Sequence, residues 1–181
     1  MAMHKACTTC AQAVHRFGAF SACLALLACS TARDFGTDGA AGVARDQAVP
    51  IGAIQRFEPA KFDGRWVVQS ALPGAWDVAS FSVSDAGTTW REVGPQGAAR
   101  ADIAVRATGI LRLDYDAAMT RDLWVVWMDP DHNTVALGNP AGDVGVIATR
   151  AGQARADQQR AAAQVLDFNG YRTETWGRGA Q

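Results

Sequence analysis

The chain has 181 residues, of which 49% are hydrophobic and 19% are charged, and its formal net charge at pH 7 is −1. This composition is that of a globular protein, and the length predicts one domain with additional segments. A net charge near zero excludes a large basic surface of the kind that binds nucleic acid, so no nucleic-acid partner is expected. All four cysteines lie within the first 29 residues, so neither a disulfide nor a cysteine metal site can support the rest of the chain.

The N-terminal segment has the features of a targeting sequence. Basic side chains, Lys5 and Arg16, precede an apolar run of 12 residues, 17–28. A helix needs roughly 20 apolar residues to cross a bilayer core of about 30 Å, so this run is too short to span one. It suits the apolar region of a signal peptide, which is predicted to cover residues 1–28.

The apolar run ends in Leu26-Leu27-Ala28-Cys29. This ending resembles the lipobox of bacterial lipoproteins, which implies cleavage after Ala28 and a lipid on Cys29. A serine follows the cysteine instead of an aspartate, which by the same resemblance implies the outer membrane, with the protein facing the periplasm. The alternative is an ordinary secretory signal in which Cys29 is incidental.

Residues 29–57 are rich in glycine, alanine and aspartate and have no strong periodicity. They are predicted to form a flexible tether between the lipid and the folded domain. The alternative is a short helix that packs on that domain.

From residue 62 onward the hydrophobic pattern has a period near two. Eight strand candidates follow one another, separated by turn signals such as Asp129-Pro130-Asp131. Many short strands without intervening helices favour a β-sandwich or a closed barrel. The period then changes to that of a helix, with Ala161, Val165 and Phe168 predicted to pack on the strands and Asn169-Gly170 to end it.

Three segments carry more specific motifs. They are Gly64-Arg65-Trp66, residues 123–150 with an acidic turn, a Gly-x-Pro and a final Arg150, and the ending GYRTETW at 170–176. Together they resemble the lipocalin family, in particular its bacterial outer-membrane lipoprotein branch. The resemblance implies an all-β domain over residues 58–181, an eight-stranded antiparallel up-and-down barrel with one C-terminal α-helix and a short final strand.

The same resemblance assigns structural roles at the closed end of this barrel. Gly64 would allow a tight turn into the first strand, Trp66 would plug the barrel floor, and Arg150 would lie across the indole. Such a contact gains cation–π energy of about 0.5 to 2 kcal/mol. The alternative is that Trp66 and Arg150 do not meet.

Comparison with the family also places a set of side chains inside the barrel. The ligand-binding candidates are Phe81, Val83, Trp90, Glu92, Arg106, Leu113 and Tyr115, with Ala104 also facing inward. An apolar interior with a charged pair suits a fatty acid or lysophospholipid, whose head group Arg106 would meet. The alternative is that the aromatic side chains fill the core and the charges lie at the rim. The very short loop LPGAW after the first strand implies an open mouth, or a second chain as its lid.

Catalysis has little support, because the sequence lacks the common nucleophile, zinc-protease and phosphate-loop motifs. The mature chain has one histidine, His132, in a predicted turn. We therefore expect no enzyme activity, no catalytic residue, no metal and no cofactor.

Two functions remain. The first is a membrane-anchored carrier of a small hydrophobic or lipid ligand. The second is a filled barrel that acts as a structural or protein-interaction module in the envelope. A barrel filled by Trp90, Trp124 or Trp127 would favour the second. A homodimer is possible if the outer face of residues 123–128 is uncovered.

Overall fold

The computed structural model describes residues 45–116 and 119–178. Within these residues the chain forms nine strands, two helices and a single 3-10 turn at Thr173–Thr175. The helices are α1 Pro59–Phe62 and α2 Ala156–Phe168. The strands are β1 Gly64–Ala71, β2 Ser80–Ser84, β3 Thr89–Gly94, β4 Gly97–Ala107, β5 Ile110–Asp114, β6 Thr120–Met128, β7 Thr134–Gly138, β8 Gly145–Arg150 and β9 Gly177–Arg178.

The strands close into an antiparallel up-and-down barrel. Each of β1 to β8 pairs with its neighbours along the chain, and β1 pairs with both β2 and β8 to close the ring. The short β9 adds to the end of β1. The predicted fold class, an eight-stranded barrel followed by one helix and a short final strand, is confirmed. Closure pairs the edges that an open sheet would expose.

The strands bury their side chains in two ways. In β5, Leu111 and Leu113 are buried and their neighbours are less so, which is the alternation of a strand with one face in the core. In β7 every residue is buried, because helix α2 covers its outer face. The chain therefore has a core inside the barrel and a second one under the helix.

The stripe predicted for helix α2 is only partly right, because Val165 packs in the outer core but Phe168 does not. Ala162 and Leu166 are fully buried, whereas Phe168 is 83% exposed. The helix ends as the sequence predicts, in a Schellman motif in which Gly170 has a φ of +89°. The Tyr171 N–H donates to the Leu166 carbonyl and the Gly170 N–H to that of Asp167.

This helix also covers the outer face of β6. Trp124, Val126 and Trp127 pack there with residues of α2 in the outer core. These two tryptophans therefore lie outside the barrel and do not fill it. The surface considered for a homodimer is not uncovered, so it does not support one.

The second half of the predicted tether is not free chain. The Ile54 N–H donates to the Val125 carbonyl at 2.9 Å, and Asp46 N–H donates to the Gly170 carbonyl at 2.8 Å. Arg45 is 4% exposed and its Nε donates to the Asn169 carbonyl. The tether prediction is therefore wrong for residues 45–57, because apolar and hydrogen-bonding side chains dock this segment on the barrel. The signal peptide, Cys29 and the first half of the tether lie outside the described residues.

None of the helices in the described ranges is both long enough and apolar enough to cross a membrane.

Tyr171 joins the helix end to the barrel. Its hydroxyl lies 2.7 Å from the Val144 carbonyl, to which it donates, and accepts the Asn139 N–H at 2.9 Å. Burial raises the pKa of this hydroxyl to about 12. Tyr171 therefore stabilises the fold fully below its unfolded pKa of about 10, and this contribution is lost as pH rises through the folded value.

We expect Tyr171→Phe to lower the free energy of unfolding by about 1–3 kcal/mol at neutral pH, because buried backbone groups lose their partner. The variant should also lose less stability than the wild type between about pH 8 and about pH 11. Urea unfolding at both pH values measures the two quantities. Burial also raises the pKa of Tyr115. Tyr115 therefore contributes a loss of stability at alkaline pH to both the wild type and the variant. An equal alkaline loss in wild type and variant would contradict the role given to Tyr171.

Candidate functional site

The closed end of the barrel is built by Trp66 and Arg150, which are directly opposite each other on β1 and β8. The Arg150 guanidinium carbon lies 3.9 Å from the centroid of the Trp66 ring. The guanidinium donates to three carbonyls, those of His132 at 3.1 Å, Lys61 at 2.7 Å and Asp63. Its three guanidinium nitrogens thus bond to backbone carbonyls, which agrees with the structural role expected for Arg150.

Gly64 lies beside this arginine. Its φ of +113° is a conformation that side-chain-bearing residues rarely adopt. A Cβ on Gly64 would collide with the Arg150 guanidinium. Glycine is therefore required at this turn into β1.

Five aromatic side chains fill the barrel above this floor: Phe62, Trp66, Trp76, Phe81 and Trp90. The Phe81 and Trp90 rings stack with centroids 4.3 Å apart and an interplanar angle of 14°. Trp66 and Trp90 are fully buried. This part of the interior is packed protein, which agrees with the filled-core alternative for these residues.

Trp76 reaches the cluster from the other end. It belongs to the short β1–β2 connection, and its ring centroid lies 5.4 Å from that of Trp90. It is only 5% exposed. The expectation of an open mouth is therefore wrong, because the short loop inserts a large side chain where a longer loop would form a lid.

A polar cluster of Trp90, Glu92, Tyr115 and Arg121 lies toward the end of the barrel opposite the floor. This end is here called the open end, although Trp76 is inserted there. One carboxylate oxygen of Glu92 accepts the Trp90 indole N–H at 2.8 Å and the Tyr115 hydroxyl at 2.7 Å. Burial and the Glu92 carboxylate raise the pKa of Tyr115, and nearby Arg121 acts in the opposite direction. Arg121 lies over the Trp76 ring, 5.4 Å from its centroid.

Two donors at this end have no acceptor. Among the described residues, five buried side-chain polar atoms have no hydrogen-bond partner. They include Trp76 Nε1 and Arg121 Nε in this cluster, and the others are Arg112 Nε, Thr149 Oγ1 and Trp176 Nε1. Buried donors normally have partners, and an unpartnered one retains the cost of its desolvation. An acceptor placed here would recover that cost, so the arrangement suits a ligand with an oxygen-rich head group.

Trp76 also forms part of the wall of a cavity of about 280 Å³. The other walls are the remainder of residues 71–79, Pro95 and Gly177. Small-molecule sites usually have about 300–1,000 Å³, so this one is at the low end.

The predicted site residues do not all meet here. Phe81, Val83, Trp90 and Leu113 are buried in the barrel interior, with 0 to 2% of each side chain exposed. Glu92 and Tyr115 are half-buried and bonded to each other.

Arg106 is exposed, and the inward placement predicted for it and for Ala104 is wrong. The register with β5 sets Ile103 opposite Leu113 in the interior, which turns Ala104 outward, and Arg106 falls in the irregularity between Val105 and Ala107.

Sequence reasoning missed Trp76 and Arg121. Arg121 had a usable signal, because it shares a strand face with the inward Leu123 and Val125. Trp76 had a weaker signal, because the alternation of apolar and polar residues that begins at Trp76 also fits the start of the next strand. No group of three or more metal-ligating side chains occurs among the residues that the structure covers.

The sequence matches no protein-family model, and no characterised protein matches it either. Solved structures do resemble it. Apocrustacyanin C1 has 13% identity and a TM-score of 0.55, over 74% of this chain and 90% of its own. Apocrustacyanin C2 has 14% identity, and lobster apocrustacyanin A1 has 13%. Each has a TM-score of 0.51 over 67% of this chain and 78% of its own. These likenesses show that the chain has the lipocalin fold.

Proposed function

We propose that the protein is a lipocalin-family carrier that binds a small amphiphile at the open end of its barrel. The observation that carries this proposal is the pair of buried, unpartnered donors, Trp76 Nε1 and Arg121 Nε, beside an aromatic floor. A ligand oxygen would accept from these donors, and the apolar part would lie against the ring of Trp76 and the cavity beside it.

The site favours a fatty acid over a larger lipid. A cavity of about 280 Å³ suits one short chain, and the aromatic cluster below it leaves no continuous channel to the barrel floor. Arg121 takes the head-group role that the sequence suggested for Arg106, because it alone of the two faces inward, opposite Leu113. Glu92 lies at the same end, so a head group with one negative charge is favoured over one with two.

The proposed location is the periplasmic face of a bacterial outer membrane, through a lipid on Cys29. The support for this part is the lipobox-like sequence before Cys29. Fifteen residues separate Cys29 from the docked Arg45, which sets an upper limit of about 55 Å on the distance between the anchor and the barrel. The barrel would then stay close to lipids released from the membrane.

The test is calorimetric titration of the protein with dodecanoate and, separately, with a lysophosphatidylcholine. Arg121→Gln is expected to weaken dodecanoate binding by about 10- to 100-fold, because one charge-assisted hydrogen bond contributes about 1.5–3 kcal/mol. Arg106→Gln is the matched control, since it removes an exposed arginine elsewhere on the barrel, and it should leave binding unchanged. If Arg121→Gln and Arg106→Gln weaken dodecanoate binding equally, the ligand makes no specific contact with Arg121.

A second candidate function, a filled barrel that serves as a structural or protein-interaction module, rests on the packing of Trp90. This side chain is fully buried among Phe62, Trp76 and Phe81. If neither lipid binds the wild-type protein in the same titration, the second function replaces the first.

A further inference from the structure

Three arginines form a row across the outer face of the barrel. The strand register sets Arg65 opposite Ser82, Ser82 opposite Arg91, and Arg91 opposite Arg100. The residues Arg65, Arg91 and Arg100, here called the arginine row, are all exposed. Neighbouring strands are about 4.8 Å apart, so the row spans about 14 Å from β1 to β4.

The arginine row destabilises the fold when no ligand is bound to it. Arg91 and Arg100 are directly opposite each other, and like charges at such positions destabilise strand pairing. Within the described ranges, the arginine row has no ion pair. The pairs there are Lys61–Glu58, Arg112–Asp114 and Arg155–Asp157.

The acidic side chains near the arginine row either accept hydrogen bonds from other groups or lie at a different register position. The Glu92 carboxylate turns inward to Trp90 and Tyr115. That of Asp63 accepts the backbone N–H groups of Ala86 and Gly87. Asp102 is opposite Thr89, two residues beyond Arg100 on the same face of β4, and forms no ion pair within the part of the chain described.

The space around the row has the shape of a binding groove. A groove of about 480 Å³ is lined by all three arginines and by small residues such as Ser80, Ser82 and Ala98. Glu92 also lines it, although the Glu92 carboxylate bonds to Trp90 and Tyr115. Ser82 lies between Arg65 and Arg91 in the strand register. Its hydroxyl has no hydrogen-bond partner among the described residues. Planar guanidinium groups bind phosphate oxygens in pairs, and a serine hydroxyl adds a further donor.

We propose that the arginine row is a binding site for a phosphomonoester group. Three positive charges without counterions suit a dianion, which the open end of the barrel, with its Glu92 carboxylate, disfavours. The ligand is a free phosphate compound or the phosphate head group of a lipid. This site is separate from the proposed fatty-acid site, because Arg121 faces inward and the arginine row faces outward.

The test measures the binding of two probes at low ionic strength, where the attraction between charges is only weakly screened. The first is glycerol 3-phosphate, a soluble phosphomonoester, followed by calorimetry. The second is phosphatidylcholine vesicles with and without phosphatidic acid, followed by co-sedimentation. The full chain is compared with the double variant Arg91→Gln, Arg100→Gln and with Arg106→Gln, which removes an exposed arginine outside the row.

We expect the double variant to lose binding on the order of tenfold or more, while Arg106→Gln binds as the wild type does. Binding of glycerol 3-phosphate alone identifies a free phosphate compound, and retention on phosphatidic acid vesicles alone identifies a lipid head group. Because the double variant removes a repulsion, its thermal stability without phosphate should equal or exceed that of the wild type. The proposal is overturned if neither probe binds, or if Arg106→Gln weakens binding as much as the double variant.

Discussion

Replacing Trp90 with alanine is expected to lower the free energy of unfolding by about 3–5 kcal/mol, the largest effect of any single substitution considered for this chain. The side chain is fully buried and stacks on Phe81 with centroids 4.3 Å apart. Its removal leaves a cavity between Phe62, Trp76 and Phe81 that rigid strands cannot close. It also removes one of the two donors that hold the Glu92 carboxylate.

Urea unfolding followed by circular dichroism measures this loss. Trp124→Ala is the matched control, because Trp124 lies on the outer face of β6 and is only partly buried under α2. We expect it to cost less than half as much. If Trp124→Ala costs as much as Trp90→Ala, the aromatic cluster is not the main core of the barrel.

Arg150→Ala is expected to lower the free energy of unfolding by about 3 kcal/mol, from a cation–π contact of about 0.5–2 kcal/mol and the loss of charged donors to backbone carbonyls. Three carbonyls, from α1, the residue after it and the β6–β7 turn, depend on this one guanidinium. Without it, the chain entering β1 at Gly64 loses its attachment to β8. Native-state hydrogen exchange should therefore increase most near α1.

The conservative variant Arg150→Lys separates the two contributions. A lysine keeps a positive charge near the Trp66 indole but cannot donate to three carbonyls in different directions. We expect a loss of stability between those of wild type and Arg150→Ala. If Arg150→Lys is as stable as the wild type, charge alone explains the role of Arg150, and the carbonyl contacts contribute little.

The sequence predicts most of the fold, because strand alternation and turn residues act locally. Leu111 and Leu113 alternate with Arg112 and Asp114, and Asn169-Gly170 ends α2 through the conformational freedom of glycine. The closed end is expected only through the resemblance of Gly64, Trp66 and Arg150 to the lipocalin family, because nothing in the local pattern brings Trp66 and Arg150 together.

The remaining features depend on tertiary register, which no local pattern fixes. In β4, Ala104 and Arg106 alternate with Ala101 and Ile103, and only the pairing of Ile103 with Leu113 shows which of the two sets faces inward. Trp76 fills the barrel mouth only because the loop carrying it is short enough to direct its ring inward.

The arginine row and the docked segment show the same limit. The row becomes visible only when β1 to β4 are aligned, because its members are far apart in sequence. Residues 45–57 have no periodicity, yet single contacts such as Ile54 with Val125 fix them on the barrel.

The measurement that tests the central claim most directly is an NMR titration of the six tryptophan indole N–H groups with dodecanoate. The Trp76 N–H has no acceptor in the ligand-free protein, whereas that of Trp66 donates to the Phe62 carbonyl at 2.9 Å. If the ligand binds at the open end, the Trp76 resonance shifts as its proton gains an acceptor, and the Trp66 resonance stays in place. An unchanged Trp76 resonance at saturating dodecanoate would contradict a ligand site at the open end of the barrel.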